Sequence, residues 1–457
     1  MKNLFVVSSF LFLPILPCRG QTATVPKPSA PVRLITLDPG HFHAALVQKS
    51  MYKNVAPTVH VYAAGGTDLQ QHLARVTSYN TRAESPTQWQ QQVYTGPDFF
   101  AKMLAEKAGN VVVLAGNNQK KTEYIAQSLQ AGFNVLADKP MCINSQEFKT
   151  LEGAFATAKK NNLLLYDIMT ERFEIPTILQ RELSRLPAVF GTLEKGTPQN
   201  PAVVKESTHC FYKNVSGSVL TRPAWFMDVT QEGEGLVDVT THLVDLVQWE
   251  CFPERALDYK KDIQVLSAKR WATNMSLTQF RAITKQNTFP DYLKKDLAND
   301  SLLKVYSNGT ISYKLLGVHA QVSVTWAYKA PEGAGDTHYS LMRGSKANLV
   351  VRQGAAQLYK PTLYIEPRTP DAAYTQALQQ ELKKIQVKYP GVALKKVDKG
   401  WEVLVPESYR EGHEAHFARV TEQFLEYLEK RNMPPWEVPN MLAKYYTTTK
   451  ALENPKQ

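Results

Sequence analysis

The chain has 457 residues, of which 43% are hydrophobic and 21% are charged, a composition typical of a globular protein with two or three domains. The formal net charge of +11 comes from basic residues scattered along the sequence, with no basic segment interleaved with aromatic residues. This distribution argues against a nucleic-acid-binding protein.

The N-terminus has the pattern of a secretory signal peptide over residues 1–20. Lys2 supplies a positive start, and Leu4–Leu16 is almost entirely apolar. The apolar run is shorter than the about 20 residues that a spanning helix needs, so we predict no membrane span. A membrane anchor, or a lipid anchor at Cys18, is the less favoured alternative. We predict an exported, periplasmic protein that is cleaved near Gly20.

The first predicted domain covers residues 32–165, after a proline-containing linker over residues 21–31. Short apolar runs alternate with helical patterns, which predicts a parallel sheet covered on both faces. The predicted strands are Val32–Leu37, Val59–Ala63, Val111–Ala115 and Asn134–Ala137. Ligands bind at the carboxyl ends of such strands, where the turns Asp38-Pro39-Gly40 and Asp138-Lys139-Pro140 are found.

The second predicted domain covers residues 166–457 and has a different texture. We predict two helices first, around Glu174–Leu186 and Leu236–Trp249, and then a long region rich in strands that forms an antiparallel sheet. Predicted strands in that region include Tyr313–Leu316, Val322–Trp326 and Ala347–Val351, and predicted helices over His413–Asn432 and Val438–Leu452 close the chain. The predicted fold class is therefore α/β: a Rossmann dinucleotide-binding domain followed by an α+β domain with a large, mostly antiparallel open sheet.

Cysteine and histidine spacings predict no metal site. After cleavage three cysteines remain, Cys142, Cys210 and Cys251, and this odd number allows one disulfide, such as Cys210–Cys251, without implying it. The segment His413-Glu414-Ala415-His416 has its histidines three residues apart and lacks the His-Glu-x-x-His pattern of zinc helices. We therefore assign it a structural role.

Lys139, Asp238 and His242 are the candidate catalytic residues. Oxidising a secondary alcohol moves the hydroxyl proton to a base while hydride leaves the carbon; an imidazole can take the proton and an ammonium can polarise the oxygen. On a helix, Asp238 and His242 at positions i and i+4 would share one face. The alternative for His242 is a structural histidine in the core.

Three segments give the chain its resemblance to a known family. They are Gly132–Pro140, Glu171-Arg172-Phe173 and the motif Asp238–Asp245, and the two closing helices add to it. Over Val32–Leu452 the chain resembles the glucose-fructose oxidoreductase and inositol dehydrogenase family (Gfo/Idh/MocA). The long strand-rich region and the exported start are most similar to secreted members of Bacteroidetes type with an extended C-terminal domain.

The resemblance implies an enzyme with NAD or NADP, which we expect to be tightly bound, and a sugar, polyol or glycoside as substrate. Lys139 would contact both, and Asp238 and His242 would bind substrate hydroxyls, with His242 as the base. A homo-oligomer is expected by analogy. The candidate cofactor residues are Gly40, His41, Phe42, His43, Asn117, Asn118, Asp138, Lys139 and Pro140. The candidate substrate residues are Arg172, Trp225, Asp238, His242 and Asp245.

The glycine loop departs from the family pattern. The usual Gly-x-Gly-x-x-Gly falls on Asp38, Gly40 and His43, so only the central glycine is kept. The acidic residue expected at the end of the second strand is replaced by Ala64-Gly65-Gly66. His41 or His43 could instead contact phosphate or substrate.

The sequence thus predicts an exported NAD(P)-dependent oxidoreductase that oxidises a ring hydroxyl of a sugar or glycoside, at C3. One alternative is an NAD-dependent glycoside hydrolase or lyase, acting by transient oxidation and elimination. It needs a further acid or base, for which His41, His43 and His338 are candidates. The other alternative is a non-catalytic carbohydrate-binding relative that holds no cofactor.

Overall fold

The computed structural model describes residues 1, 31–215, 218–299, 301–332, 334–453 and 455–456. Of the predicted signal peptide and linker, residues 1–31, only residues 1 and 31 are among the described residues. No helix of the described part combines the length and apolar character that crossing a membrane requires.

Twelve helices and eighteen strands are present in the described residues. The helices are α1 (His43–Leu46), α2 (Thr67–Thr81), α3 (Phe99–Glu106), α4 (Lys121–Gln130), α5 (Ser145–Lys160), α6 (Ile175–Ser184), α7 (Thr240–Cys251), α8 (Tyr259–Asp262), α9 (Leu277–Thr284), α10 (Ala372–Lys388), α11 (His413–Lys430) and α12 (Glu437–Leu452). The strands are β1 (Leu34–Leu37), β2 (Thr58–Ala63), β3 (Gln90–Thr95), β4 (Val111–Leu114), β5 (Asn134–Asp138), β6 (Leu165–Ile168), β7 (Val203–Tyr212), β8 (Asn214–Val215), β9 (Ser218–Val219), β10 (Ile263–Ser276), β11 (Leu297–Ala298), β12 (Leu302–Leu315), β13 (Val318–Lys329), β14 (Thr337–Arg343), β15 (Ala347–Arg352), β16 (Thr362–Pro367), β17 (Ala393–Val397) and β18 (Gly400–Leu404).

The N-terminal sheet is parallel and has six strands in the order β3-β2-β1-β4-β5-β6. Every residue of β1, β4, β5 and β6 is buried, as expected for strands covered by helices on both faces. The predicted Rossmann arrangement is confirmed. The sequence prediction missed β3, because its polar residues lack an apolar pattern and β3 lies at the exposed edge of the sheet.

The second sheet has ten strands and is mostly antiparallel. Its path is β10-β12-β13-β7-β14-β15-β16-β18-β17, with β11 paired to β12, and β13 and β7 run parallel. Buried and partly buried residues alternate along β13, so one face packs on the core. The predicted open sheet is confirmed, with one parallel pair inside it.

The last two helices return to the N-terminal sheet. Phe417 and Phe424 of α11, with Met441 and Tyr445 of α12, belong to the same apolar core as the strands of the parallel sheet. This packing brings the start of α11 to the carboxyl ends of those strands. The division into domains at residue 165 remains a prediction, since the closing helices pack against the first sheet as well as the second.

Three local expectations are corrected. The helical pattern after β1 forms only the four-residue α1. Asp238 lies in a turn two residues before α7 and not on the helix, although its backbone N–H bonds to the Glu234 carbonyl as in a helical turn. Cys142, Cys210 and Cys251 are free thiols, so the disulfide that the spacing allowed does not form.

Candidate active site

A cavity of about 750 Å³ lies at the carboxyl ends of the parallel strands and extends to the second sheet. Lys139, Asp238 and His242 line it, as do His41, Phe42 and His43. The structure therefore brings the three candidate catalytic residues together with part of the predicted cofactor loop. The lining also includes His209 of β7, Asp336 of the loop between β13 and β14, and His338 of β14.

Backbone packing fixes the position of Asp238 and His242. Gly235 precedes them and presses against β12: a Cβ atom on this residue would lie 2.2 Å from the Ser307 carbonyl oxygen. Only glycine permits this approach, which sets the start of α7 against the second sheet. Asp238 follows in the turn, and His242 projects from the first turn of α7.

Lys139 and Asp238 form a buried ion pair. The Lys139 Nζ lies 2.5 Å from the Asp238 Oδ1, and both side chains are less than a tenth exposed. Burial by itself would lower the pKa of Lys139, but the carboxylates of Asp238 and Asp138 outweigh it and raise that pKa. Lys139 therefore presents an ammonium to the cavity, held in place by Asp238.

His242 is a neutral base in this arrangement. Burial, with the Lys139 ammonium next in effect, lowers the pKa of His242 well below its usual value. Its Nδ1 has no hydrogen-bond partner among the described residues. His242 lines the cavity, and a neutral imidazole there can accept a proton from a bound molecule.

Two glutamates on the cavity wall were not predicted as site residues. Glu171 and Glu174 both line the cavity. Burial, then the nearby Glu171 carboxyl, raises the pKa of Glu174 to about 8, and burial also raises the pKa of Glu171. Glu174 is thus protonated at neutral pH and can donate a proton. The sequence signal was the motif Glu171-Arg172-Phe173, which by itself says nothing about burial.

Two histidines meet the Asp138 carboxylate where β1 and β5 end. The His43 Nδ1 lies 2.8 Å and the His41 Nδ1 3.7 Å from the Asp138 Oδ2. Burial lowers the pKa values of both histidines well below their usual value. His43, which replaces the last glycine of the loop, is therefore held by the carboxylate of Asp138 at the end of β5.

The edge of the sheet at Gly40 is covered by the chain itself. The backbone N–H groups of Gly40 and His41 both donate to the Ala115 carbonyl. A Cβ atom on Gly40 would lie 3.0 Å from the Trp225 ring, whose Nε1 donates to the Asp68 Oδ2 at 2.8 Å. The space left between Gly40 and residues 220–226 is only about 10 Å³. Trp225 thus packs on the glycine loop and is not among the residues that line the large cavity.

Asn117 and Asn118, two further predicted cofactor residues, already have hydrogen-bond partners within the protein. The Asn117 Nδ2 donates to the Gln231 side chain and the Asn118 Nδ2 to the Glu232 carbonyl, both at 2.7 Å. Burial, then the Asp68 carboxylate, raises the pKa of Asp38, and the Lys120 ammonium opposes this shift. Segment 222–234 therefore covers the ends of β1 and β4.

Arg172 and Asp245 lie away from the cavity. The Arg172 Nε and Nη2 donate to the two Asp245 carboxylate oxygens at 2.6 and 2.7 Å, and the Lys444 Nζ donates to Asp245 at 2.8 Å. All three side chains are almost fully buried. Neither Arg172 nor Asp245 lines the cavity, so their positions fit a structural ion-pair network and give no support to the predicted substrate contact.

Two family models match the chain. Residues 42–166 match the model described as "Oxidoreductase family, NAD-binding Rossmann fold" (Gfo/Idh/MocA), and residues 179–456 match the model described as "Putative oxidoreductase C terminal domain". The first match begins beyond Gly40. No curated protein sequence matches the chain.

Solved structures agree with the family models. The crystal structure of a "putative oxidoreductase" from Parabacteroides merdae is 59% identical, covers 93% of this chain and 97% of its own, and has a TM-score of 0.91. KijD10, a 3-ketoreductase from Actinomadura kijaniata in complex with NADP, shares the fold at 14% identity, with a TM-score of 0.53 and coverage of 93% and 98%. GenD2 from gentamicin A biosynthesis, in complex with NAD, shares it at 15% identity, with a TM-score of 0.55 and coverage of 92% and 93%.

The fold and the matched models define a two-domain oxidoreductase with a Rossmann domain. The chain belongs to the Gfo/Idh/MocA family of NAD(P)-dependent oxidoreductases, and its N-terminal domain has the NAD-binding Rossmann fold of that family. Membership of this family indicates an enzyme.

The residues at the sheet edge do not fit a dinucleotide in this arrangement. A Rossmann domain binds pyrophosphate through backbone N–H groups at the glycine loop, where a glycine lets the phosphate approach. Here Trp225 takes that place, and the Gly40 and His41 N–H groups are already used. The ring of Phe226 stacks on His41 with 6.1 Å between centroids, and both residues border the large cavity and the small space at Gly40. A dinucleotide could bind only after segment 222–234 moved.

Proposed function

We propose that the protein acts on the ring of a sugar or glycoside by proton transfer in the 750 Å³ cavity. The observation that carries this proposal is the pairing of a neutral imidazole, His242, with a buried ammonium, Lys139, on the wall of one cavity. The first can remove a proton and the second can stabilise the negative oxygen that results. The cavity volume lies within the range of ligand sites in proteins.

The covered sheet edge favours elimination over oxidation. Oxidation of a ring hydroxyl needs a hydride acceptor beside the ring carbon, and Trp225 packs on Gly40, where the pyrophosphate of a dinucleotide would bind. We therefore propose a glycoside whose ring already carries a carbonyl at C3 as the substrate. That carbonyl makes the neighbouring C2–H acidic, so the glycosidic bond at C1 can break without any redox cofactor.

Each chemical role falls to a residue of the cavity wall. His242 takes the C2 proton, and the Lys139 ammonium stabilises the enolate oxygen at C3, with Asp238 positioning Lys139. The enolate then expels the C1 oxygen, the ring becomes an unsaturated ketone, and Glu174 supplies the proton for the departing alcohol. A carboxyl group whose pKa is raised to about 8 is suited to that last role. The additional acid that the elimination alternative required is thus a glutamate instead of His41, His43 or His338.

Oxidation at C3 is the second candidate, because family membership favours it. It uses the same His242 and Lys139 for the hydroxyl proton and oxygen, and it requires that segment 222–234 first uncover the Gly40 edge. Export to the periplasm is proposed independently from the N-terminal sequence.

One experiment separates the candidates. The purified protein is incubated with 4-nitrophenyl 3-keto-glucoside without nucleotide, and with 4-nitrophenyl glucoside plus NAD⁺ or NADP⁺. Elimination predicts nitrophenol release from the first substrate alone. Reduced-nicotinamide absorbance with the second would instead establish oxidation, and nicotinamide released from the denatured protein would show that the Gly40 edge binds a dinucleotide. Sugar binding without either reaction would favour the non-catalytic alternative and contradict the proposal.

A matched pair of variants tests the role of His242. His242→Gln should lower the rate of nitrophenol release by about 10²–10⁴-fold, the usual contribution of a general base. His72→Gln is the control: His72 is also buried without a hydrogen-bond partner among the described residues, but it lies on α2, outside the cavity lining. Equal losses in the two variants would mean that His242 acts through folding and not through proton transfer.

A further inference from the structure

The group His41, His43 and Asp138 has a geometry that the proposed proton transfer leaves unused. One ligand atom from each residue lies within 4.8 Å of the others, and this is the one such three-residue group of histidine, cysteine and carboxylate side chains that the described ranges contain. We propose that these three residues bind a divalent transition-metal ion, of the zinc or cobalt type, at the edge of the cavity. This site contradicts the prediction from sequence that no metal is bound.

The distances suit a metal centre with three protein ligands. Around an ion with bonds of about 2.0–2.2 Å, ligand atoms in tetrahedral positions lie about 3.4 Å apart. The Asp138 Oδ2 lies 3.7 Å from the His41 Nδ1 and 2.8 Å from the His43 Nδ1, so these separations bracket that value. All three ligand atoms lie within 4.8 Å of one another, and the His41 Nδ1, which accepts from the His43 backbone N–H at 3.4 Å, would exchange that hydrogen bond for the ion.

The site is built on rigid elements and faces the cavity. Asp138 is the last residue of β5 and His43 is the first residue of α1, and both are buried. His41 and His43 line the cavity, so a fourth position on the ion would be open to a water molecule or to a substrate oxygen. Three protein ligands with one open position are typical of catalytic metal sites, whereas structural sites are closed by four.

The ammonium groups nearest the site have partners of their own. The nearby Lys139 ammonium is paired with Asp238, and the Lys121 Nζ bonds to the Asp138 backbone carbonyl at 3.1 Å. The Asp138 carboxylate hydrogen-bonds to the His43 Nδ1, and the ion would replace this contact. A bound ion would act there as a Lewis acid toward a ring oxygen.

The sequence did not reveal this group because its members are distant along the chain. His-x-His on a short turn has no helical spacing, and the carboxylate follows 95 residues after His43. Only the parallel sheet, in which β1 and β5 both pair with β4, brings the turn and the strand end together. The alternative is an ordinary hydrogen bond between His43 and Asp138 with no ion.

Metal binding is tested without substrate, so its failure would leave the proposed elimination intact. Metal-free protein is titrated with Co²⁺ and with Zn²⁺, following the visible absorption of bound Co²⁺ and the heat of Zn²⁺ binding. One ion per chain is expected. Asp138→Asn keeps the size of the side chain, and it should weaken binding by at least about tenfold, as should His41→Gln.

His338→Gln is the matched control, because His338 lines the same cavity outside the group. It should bind Co²⁺ like the wild type. Thermal unfolding of each metal-free variant shows whether Asp138→Asn and His41→Gln remain folded. The proposal is overturned if the wild type binds no more metal than a folded double variant of Asp138 and His41. An equal loss in His338→Gln would also overturn it, since the ion would then lie elsewhere in the cavity.

Discussion

Substitution of Asp245 by asparagine should destabilise the protein strongly without altering the chemistry of the cavity. Asp245 accepts two hydrogen bonds from Arg172 and one from Lys444, and the side chains of Asp245 and Lys444 are 1% and 0% exposed. Asparagine has nearly the same shape but no charge. The variant therefore leaves two buried cations facing a neutral amide, while the packing is almost unchanged.

The expected loss is about 3–5 kcal/mol in the free energy of unfolding, the usual cost of removing one partner from a buried ion pair. Residual pairing limits it, because Arg172 also bonds to Glu437 and Lys444 also lies 2.6 Å from Asp167. Guanidinium unfolding followed by tryptophan fluorescence measures the loss. The control is Glu426→Gln, at a helix-surface pair with Lys430 that is at least half exposed, and it should change stability by less than about 1 kcal/mol.

The pH dependence gives a second check. Burial alone would raise the pKa of Asp245, but Arg172 and Lys444 outweigh it and hold that pKa below its usual range. A depressed carboxyl pKa stabilises the fold above the unfolded value of about 3.9, and this stabilisation is lost as the pH falls toward the folded value. The difference between wild type and variant should therefore be full at pH 7 and shrink below about pH 4. A loss under about 1 kcal/mol at pH 7 with weaker sugar binding would refute this reasoning and restore Asp245 as a substrate contact.

Three further predictions concern Trp225 at the Gly40 edge, Glu174 as the proton donor and Gly235 before α7. Trp225→Ala removes the indole ring that packs on the glycine loop, so the variant should bind NADH measurably by fluorescence, whereas the wild type should not. Stoichiometric NADH binding by the wild type would contradict the inference that Trp225 covers the Gly40 edge. Glu174→Gln should slow elimination of an alkyl 3-keto-glucoside by about 10²–10⁴-fold and spare the nitrophenyl substrate, whose leaving group needs no acid. In the wild type the alkyl rate should fall as the pH rises through about 8, where Glu174 loses its proton; a flat profile would exclude that role. Gly235→Ala places a Cβ 2.2 Å from the Ser307 oxygen and should lower the free energy of unfolding by at least about 1–3 kcal/mol. The control, Gly153→Ala, lies in open space on α5 and should raise the free energy of unfolding by about 0.5–1 kcal/mol. Equal effects in denaturant unfolding would show that Gly235 is not sterically required.

Apolar patterns predicted most of the elements that surround the site. The runs at residues 32–37, 111–115 and 134–137 became β1, β4 and β5, because buried parallel strands are apolar throughout and their sequences carry a clear signal. The strand β3 and the helix α10 were missed. Gln90–Thr95 is polar and lacks an apolar pattern. Ala372–Lys388 does have an apolar stripe at helical spacing, Tyr374, Leu378, Leu382 and Ile385, and this signal was overlooked.

The sequence also singled out Lys139, Asp238 and His242, which the fold brings to one cavity, but it could not show which charged residues are buried. Arg172 and Asp245 carry charges suited to a substrate, yet they are paired with each other deep in the protein. Glu174 has no distinctive pattern, and burial beside a second carboxyl is what sets its pKa. Charge is encoded locally, whereas burial and partners are set by segments distant in the sequence.

The sequence by itself determined the class of fold, the family and the group of residues at the strand ends, because periodicity and local motifs are properties of short segments. Only the tertiary structure decided what the glycine loop can hold. Gly40 looked like a surviving phosphate contact, but Trp225, which follows it by 185 residues, packs on it and leaves about 10 Å³. Asp138 was a candidate cofactor residue, and the pairing of β1 and β5 with β4 places its carboxylate against two histidines. Both outcomes depend on contacts between distant segments, which no local pattern contains.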